Sequence, residues 1–177
     1  MAQLTHKLWM GRALDEARLA LEHGDVPVGA VMVHDGQVIA AGHNRREVDN
    51  DPTAHAELIA VREAARVLGS WRLEGCSLYV TLEPCTMCAG ALVLGRLPEL
   101  VFGASDPKAG AAGSLYDLVQ EPRLNHRVVV VSGVLAAECG DVLRDFFRAA
   151  RSRSRADGPR WPDATAATLS DRPGGVA

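Results

Sequence analysis

The chain has 177 residues, 47% of them hydrophobic and 23% charged, with a formal net charge of −3. This composition is ordinary for a globular protein with a buried core, and the length fits one domain with a short extension. The four cysteines are too few for a disulfide scaffold, residues 1–12 contain no apolar run typical of a signal peptide, and no stretch is long enough to span a bilayer, so we expect a cytoplasmic protein without a membrane segment.

The N-terminal third predicts a helix followed by a hairpin. Apolar residues recur at helical spacing over residues 6–22, and His23-Gly24 ends that helix. Residues 27–33 are rich in strand-forming side chains, and Asp35-Gly36 is a hairpin turn signal that leads into a second strand at 38–41. These two strands are therefore predicted to pair antiparallel.

The middle of the chain predicts two helices around a strand. Asp51 and Thr53 offer capping side chains ahead of a helix over residues 54–68, which places His55 and Glu57 in its first turn. A strand at 77–82 leads to Pro84, which suits the first position of a helix running through residue 94.

The remaining elements complete a mixed sheet. Strands at 100–104 and 127–132 each follow a helical or crossover segment, which favours parallel pairing, and a helix over 134–150 closes the fold. In such sheets ligands bind outside the carboxyl ends of the strands. We expect a domain over residues 1–151 and a disordered tail over 152–177, which is rich in Gly, Pro, Ser, Thr, Asp and Ala.

Three side chains have the chemistry of a zinc site. His55, Cys85 and Cys88 offer one imidazole and two thiols, ligand types that suit zinc. Three protein ligands leave a fourth position for water, whose pKa zinc lowers toward neutrality. Glu57 lies two residues from His55, close enough to move that water's protons. The sequence therefore predicts a hydrolytic zinc site.

Neither half of this pattern is specific alone. A lone Cys-x-x-Cys also occurs in redox motifs and by chance, and a lone His-x-Glu indicates almost nothing. Together, with Pro84 directly before Cys85, they match the zinc-deaminase signature H-x-E…P-C-x-x-C. The two other cysteines, Cys76 and Cys139, are interpreted as small buried apolar residues.

The residues around this signature resemble the bacterial tRNA-specific adenosine deaminases. The likeness runs from about residue 6 to residue 151, and the tail falls outside it. The stretches that carry it are 26–31, 44–45, 51–57, 78–91, 108–115, 125–127 and 145–148.

The resemblance implies a fold, an activity and partners. It implies the cytidine-deaminase-like fold, a three-layer α/β/α arrangement with a mixed five-stranded sheet between helices. It further implies conversion of adenosine to inosine at the wobble position of a tRNA anticodon. His55, Cys85 and Cys88 then hold one zinc ion per subunit, and Glu57 is the catalytic acid–base. A tRNA anticodon stem-loop and a second copy of the chain are the expected partners.

The same resemblance implies RNA contacts in three places. Asn44 matches a family residue that contacts the substrate nucleotide, although a loop Asn more commonly bonds to its own backbone. Asp106 and Lys108 lie where the family places RNA contacts and part of the pocket rim, or else in a solvated loop. Residues 144–160 hold six arginines against two aspartates, which suits phosphate binding or simply a soluble helix end. Here we assign Phe147, Arg148 and Arg151 to RNA; Ala149-Ala150 departs from family members that are more basic there.

Two other functions remain open. The same zinc chemistry would serve a deaminase of a free base, nucleoside or nucleotide, of guanine or cytosine type; residues 106–115 and Phe146-Phe147-Arg148 favour the tRNA enzyme. A riboflavin-pathway deaminase fits less well, because that family spaces its second Cys farther from the first. A non-catalytic zinc subunit that only binds RNA is disfavoured by Glu57, since a structural metal needs only its ligands.

Overall fold

The structure is a computed structural model that describes residues 2–157. The chain divides into two units, one that ends at Phe146 and one that begins at Phe147. The elements in chain order are α1 Ala2–Glu22, β1 Gly29–His34, β2 Gln37–His43, α2 Arg46–Asp49, α3 Ala56–Leu68, β3 Cys76–Leu82, α4 Thr86–Leu94, β4 Glu99–Ala104, β5 Val129–Val131 and α5 Ala136–Asp157. In this part of the chain no helix is both long and apolar enough to cross a membrane.

The five strands form the predicted mixed sheet, in the order β2-β1-β3-β4-β5. Strand β1 pairs antiparallel with β2 and β3, whereas β3–β4 and β4–β5 are parallel. The hairpin between β1 and β2 turns at Asp35 and Gly36, whose φ angles of 50° and 70° suit a tight two-residue turn. Both the fold class and the strand pairing are confirmed.

Helices cover both faces of the sheet because alternate strand residues point to opposite sides. On β3, Leu78 and Val80 pack in one buried cluster with residues of α3 and α4, whereas Tyr79 packs in a second cluster with residues of α1. Cys76 and Cys139 are buried members of these two clusters, as predicted. The molecule is therefore layered α/β/α.

The strand directions bring four chain segments to one edge of the sheet. Gly29, the first residue of β1, pairs with His43, the last residue of β2, and Ala30 pairs with Val80 near the end of β3. Because β3 and β4 are parallel, the carboxyl end of β4 lies at the same edge. The segments that follow β2, β3 and β4 therefore emerge together, at the edge where the sequence predicted the site.

The ends of four helices differ from their prediction. Helix α1 begins at Ala2, although the sequence predicted its start at residue 6. Helix α3 begins at Ala56 with His55 as its N-cap, and the expected capping by Asp51 or Thr53 is wrong: Asp51 Oδ1 accepts bonds from the N–H and hydroxyl of Thr53 instead. Helix α4 begins at Thr86, so Pro84 precedes its N-cap rather than occupying its first turn.

Helix α5 continues through Asp157, although the sequence predicted its end at residue 150. Residues 152–157 of the predicted tail are therefore helical. Residues 158–177 of that tail lie outside the described residues. The division into a domain over 1–151 and a disordered tail stays a prediction.

Candidate active site and metal centre

The structure brings His55, Cys85 and Cys88 together, with their ligand atoms all within 4.8 Å of one another. His55 Nδ1 lies 3.7 Å from Cys85 Sγ and 3.5 Å from Cys88 Sγ. A tetrahedral zinc ion with ordinary bond lengths separates a nitrogen and a sulfur ligand by about 3.6 Å. The three side chains therefore form a group that could hold a metal ion, and their donor set and spacing fit zinc.

Two helix N-termini position these ligands. His55 is the N-cap of α3 and Cys85 is the N-cap of α4, both with extended backbone, and neither side chain caps its own helix. Cys88 follows one turn into α4 and is buried. The first N–H groups of a helix have no partner within it and carry its positive dipole end. The site is thus electropositive, which favours thiolates as ligands.

The three candidate ligands perturb one another. The Cys88 thiol, followed by the His55 imidazole, donates to Cys85 and lowers the pKa of Cys85 to about 3 despite its partial burial. The same contact with Cys85, reinforced by burial, raises the pKa of Cys88. The pKa of His55 is raised, mainly through its hydrogen bond with Cys85. One thiolate is thus ready as a ligand, and a metal cation would displace the remaining proton.

Glu57 lies beside this group in the first turn of α3 and is only 4% exposed. Burial raises the pKa of its carboxyl, and the nearby His55 and an interaction with the Cys88 thiol oppose that shift. A buried carboxyl with a raised pKa, next to a group that can activate water, is suited to accept and return protons.

The connection after β4 packs directly against the start of α4. Cys85 and Gly110 form an isolated antiparallel bridge, and the Ala111 N–H donates to Pro84 O at 2.8 Å. This connection carries two predicted RNA contacts, the half-buried Asp106 and the exposed Lys108. The structure therefore brings these two residues to the same edge of the sheet as the candidate ligands.

Asn44 directly follows β2 at that edge and is 6% exposed. Its N–H donates to Val28 O at 2.9 Å, which fixes its backbone next to the start of β1. The last three predicted contacts, Phe147, Arg148 and Arg151, lie on α5 in the second unit with exposed side chains. The RNA-binding role of all of them stays a prediction.

The sequence analysis missed Glu83, which directly follows β3 and is 2% exposed. Burial acts to raise its pKa, but the Ser114 hydroxyl and the amides of Asp106, Ser114 and Ala112 outweigh it, so the pKa lies below its usual value. An ionised buried carboxylate needs such partners. The available signal was an acidic residue placed directly after a buried apolar strand.

The fold and the candidate metal site together are those of a deaminase. A family model described as MafB19-like deaminase matches residues 4–151. A solved structure from a study of A-to-I editing by tRNA:A34 deaminases at the wobble position of transfer RNA superposes with a TM-score of 0.74 and is 48% identical, covering 76% of this chain and 98% of that one.

Sequence similarity shows to which family of deaminases the chain belongs. The tRNA-specific adenosine deaminase of Bacillus subtilis is 54% identical over 150 residues, which are 85% of this chain and 93% of that one. The guanine deaminase from Nitrosomonas europaea shares the fold at a TM-score of 0.66 but is 28% identical, over 79% of this chain and 83% of that one. The chain belongs to the family of tRNA-specific adenosine deaminases.

Proposed function

We propose that this chain hydrolyses adenosine to inosine and ammonia at the wobble position of a tRNA anticodon. The observation that carries the chemistry is the group of His55, Cys85 and Cys88 with the buried Glu57 beside it. The assignment to tRNA rests on relatives such as the 54% identical tRNA-specific adenosine deaminase.

His55, Cys85 and Cys88 hold one zinc ion per subunit in this proposal. Their nitrogen and sulfur atoms have the identity and spacing that zinc requires. When bound there, zinc supplies Lewis-acid activation of water at neutral pH. His55 and Cys85, each at a helix N-terminus, and the buried Cys88 would hold the ion there.

Glu57 moves the protons in this reaction. Hydrolytic deamination moves one proton from the attacking water to the ring nitrogen next to the reacting carbon. It then moves a second proton, from the hydroxyl that now stands on that carbon, to the amino group, so that the carbonyl forms as ammonia leaves. Because Glu57 is buried with a raised pKa, it can hold a proton between these steps. It is not needed as a metal ligand, since His55, Cys85 and Cys88 already supply three.

The anticodon stem-loop is bound by two sets of residues. Asn44 contacts the flipped-out base, and Asp106 and Lys108 contact the RNA next to it. An anticodon loop presents bases that are already partly unstacked. Phe147, Arg148 and Arg151 on α5 meet the flanking bases and phosphates. Binding energy from such remote contacts positions the base for reaction.

Two further features belong to this proposal. The chain works as a homodimer, which is supported by exposed apolar side chains at Leu94, Leu115 and Tyr116. It acts in the cytoplasm, where its tRNA substrate is present.

A free-base or nucleoside deaminase is the alternative, and the guanine deaminase likeness at 28% identity motivates it. The test compares kcat/KM for an anticodon stem-loop with wobble adenosine against free adenosine, cytidine and guanine. We expect the stem-loop to be deaminated at least about 100-fold more efficiently, because its remote contacts contribute binding energy that the free compounds lack. A free base or nucleoside with the highest kcat/KM would replace the tRNA assignment.

A further inference from the structure

The buried carboxylate of Glu83 accepts hydrogen bonds from several residues of the connection after β4. Its Oε2 accepts the Asp106 N–H at 2.9 Å and the Ser114 hydroxyl, and its Oε1 accepts the N–H groups of Ala112 at 3.1 Å and Ser114 at 2.9 Å. The donors come from residues 23–31 positions later in the chain. Hydrogen bonds to an ionised buried group are the strong ones. Glu83 is therefore the anchor on which this connection is folded.

The connection encloses the carboxylate without spare room. A Cβ at Gly110 would lie 2.4 Å from Glu83 Cδ and 2.5 Å from the backbone oxygen of Asp106. Only glycine lets the backbone approach this closely. The carboxylate and the backbone around it are thus closely packed against each other.

Asp106 connects Glu83 to the backbone of Lys108 through hydrogen bonds. Its N–H is held by Glu83, while its own Oδ1 accepts the N–H groups of Lys108 at 2.9 Å and Ala109 at 3.2 Å. Its backbone oxygen accepts the Gly110 N–H at 2.8 Å. These bonds of the turn converge on Asp106, so they tie the backbone of Lys108 to Glu83 through Asp106.

We propose that Glu83 is a positioning residue for RNA: it sets the Asp106–Lys108 turn beside Cys85 so that Lys108 meets the backbone of the bound stem-loop. This inference rests on the proposed function, which assigns Asp106 and Lys108 to RNA. Glu83 acts through the turn and not on the reacting atoms, so its loss weakens substrate binding more than the chemical step.

The variant Glu83→Gln tests this with the smallest change. Glutamine keeps the volume and one acceptor oxygen, but its NH2 group faces either the Asp106 N–H or the two N–H groups of Ala112 and Ser114. If the NH2 group faces the Asp106 N–H, only that N–H loses its acceptor, whereas the other orientation leaves the N–H groups of both Ala112 and Ser114 without one. The first orientation is therefore favoured, and in it the Ser114 hydroxyl can turn to accept from the NH2 group. The Asp106 N–H is thus left unpaired, and the turn is released where it carries Lys108.

Zinc-loaded protein is assayed on the wobble-adenosine stem-loop and on free adenosine. We expect Glu83→Gln to raise KM for the stem-loop about tenfold, because it loses one hydrogen bond to a charged group. The zinc content should stay unchanged. The values of kcat for the stem-loop and kcat/KM for free adenosine are expected to change less than about threefold, since neither depends on the Lys108 contact. Glu121→Gln is the matched control, because Glu121 lies in the same connection and its carboxylate pairs with the neighbouring Arg123.

A double-variant cycle with Lys108→Ala separates positioning from a general structural role. If Glu83 acts through the turn, Glu83→Gln adds less than about twofold to KM in the Lys108→Ala background. Additive effects, a loss of zinc, or a KM within twofold of wild type in the single variant would each overturn the proposal. If Glu83→Gln does not fold, Ser114→Ala replaces it, with an expected rise in KM of about threefold; an unchanged KM there also overturns it.

The substrate preference of the wild type separates a failure of the proposed function from a failure of the proposed role of Glu83. A wild type that prefers free adenosine refutes the proposed function and this inference with it. A wild type that prefers the stem-loop, combined with an unchanged KM in Glu83→Gln, refutes the positioning role alone.

Discussion

Replacing Glu57 by glutamine removes the proposed proton carrier and changes the rest of the site little. The amide keeps the volume of a side chain that is 4% exposed, and His55, Cys85 and Cys88 stay in place to bind zinc. General acid–base help is worth about 10²–10⁴-fold, or about 3–5 kcal/mol. Because burial keeps bulk water and buffer from standing in for the carboxylate, we expect the upper part of that range, a fall in kcat of at least about 10³-fold.

The assay measures kcat on the wobble-adenosine stem-loop together with zinc content and stem-loop affinity. Zinc and affinity are expected to stay at wild-type values, so that only the chemical step is lost. Glu63→Gln is the matched control, since Glu63 lies on the same helix and pairs with Arg66; it should leave kcat unchanged. Activity of Glu57→Gln within tenfold of wild type would show that another group moves the protons.

Three more variants test the candidate ligands and the RNA surface. Cys85→Ser and Cys88→Ser should each lose most of their zinc, because a hydroxyl replaces a soft thiolate; full zinc occupancy in both variants by elemental analysis would refute the ligand assignment. Replacing Arg148 and Arg151 together with alanine should weaken stem-loop binding and reduce the slope of log K against log salt by about one for each phosphate that the variant no longer binds. An unchanged affinity and slope would remove these two residues from the RNA surface.

Local signals were enough to predict the sheet and to select the candidate ligands. The turn at Asp35-Gly36 needs positive φ at both positions, which these two residues tolerate better than most, so the hairpin could be read directly from the chain. The parallel pairing of β3, β4 and β5 follows from the length of the connections between them. His55, Cys85 and Cys88 could be selected because few combinations of imidazole and thiols at this spacing have another use.

Helix boundaries depended on contacts that sequence neighbours do not reveal. Asp25 is fully buried and accepts bonds from the N–H groups of Glu47 and Val48, 22 and 23 residues later, and so supports α2, a helix that the sequence did not predict. Asp51 and Thr53 bond to each other instead of capping α3. His55 and Cys85 are N-caps whose side chains do not cap their helices and instead lie 3.7 Å apart across the fold.

Glu83 illustrates what only the tertiary structure decided. By sequence it is one acidic residue between a strand and Pro84, and nothing nearby along the chain can satisfy a buried carboxylate. The parallel pairing of β3 with β4 places the end of β4 beside it, and the connection that follows supplies four hydrogen bonds from Asp106, Ala112 and Ser114. Burying an unpaired charge is too costly for a folded protein to sustain, so this residue could have its role only where distant backbone N–H groups converge on it.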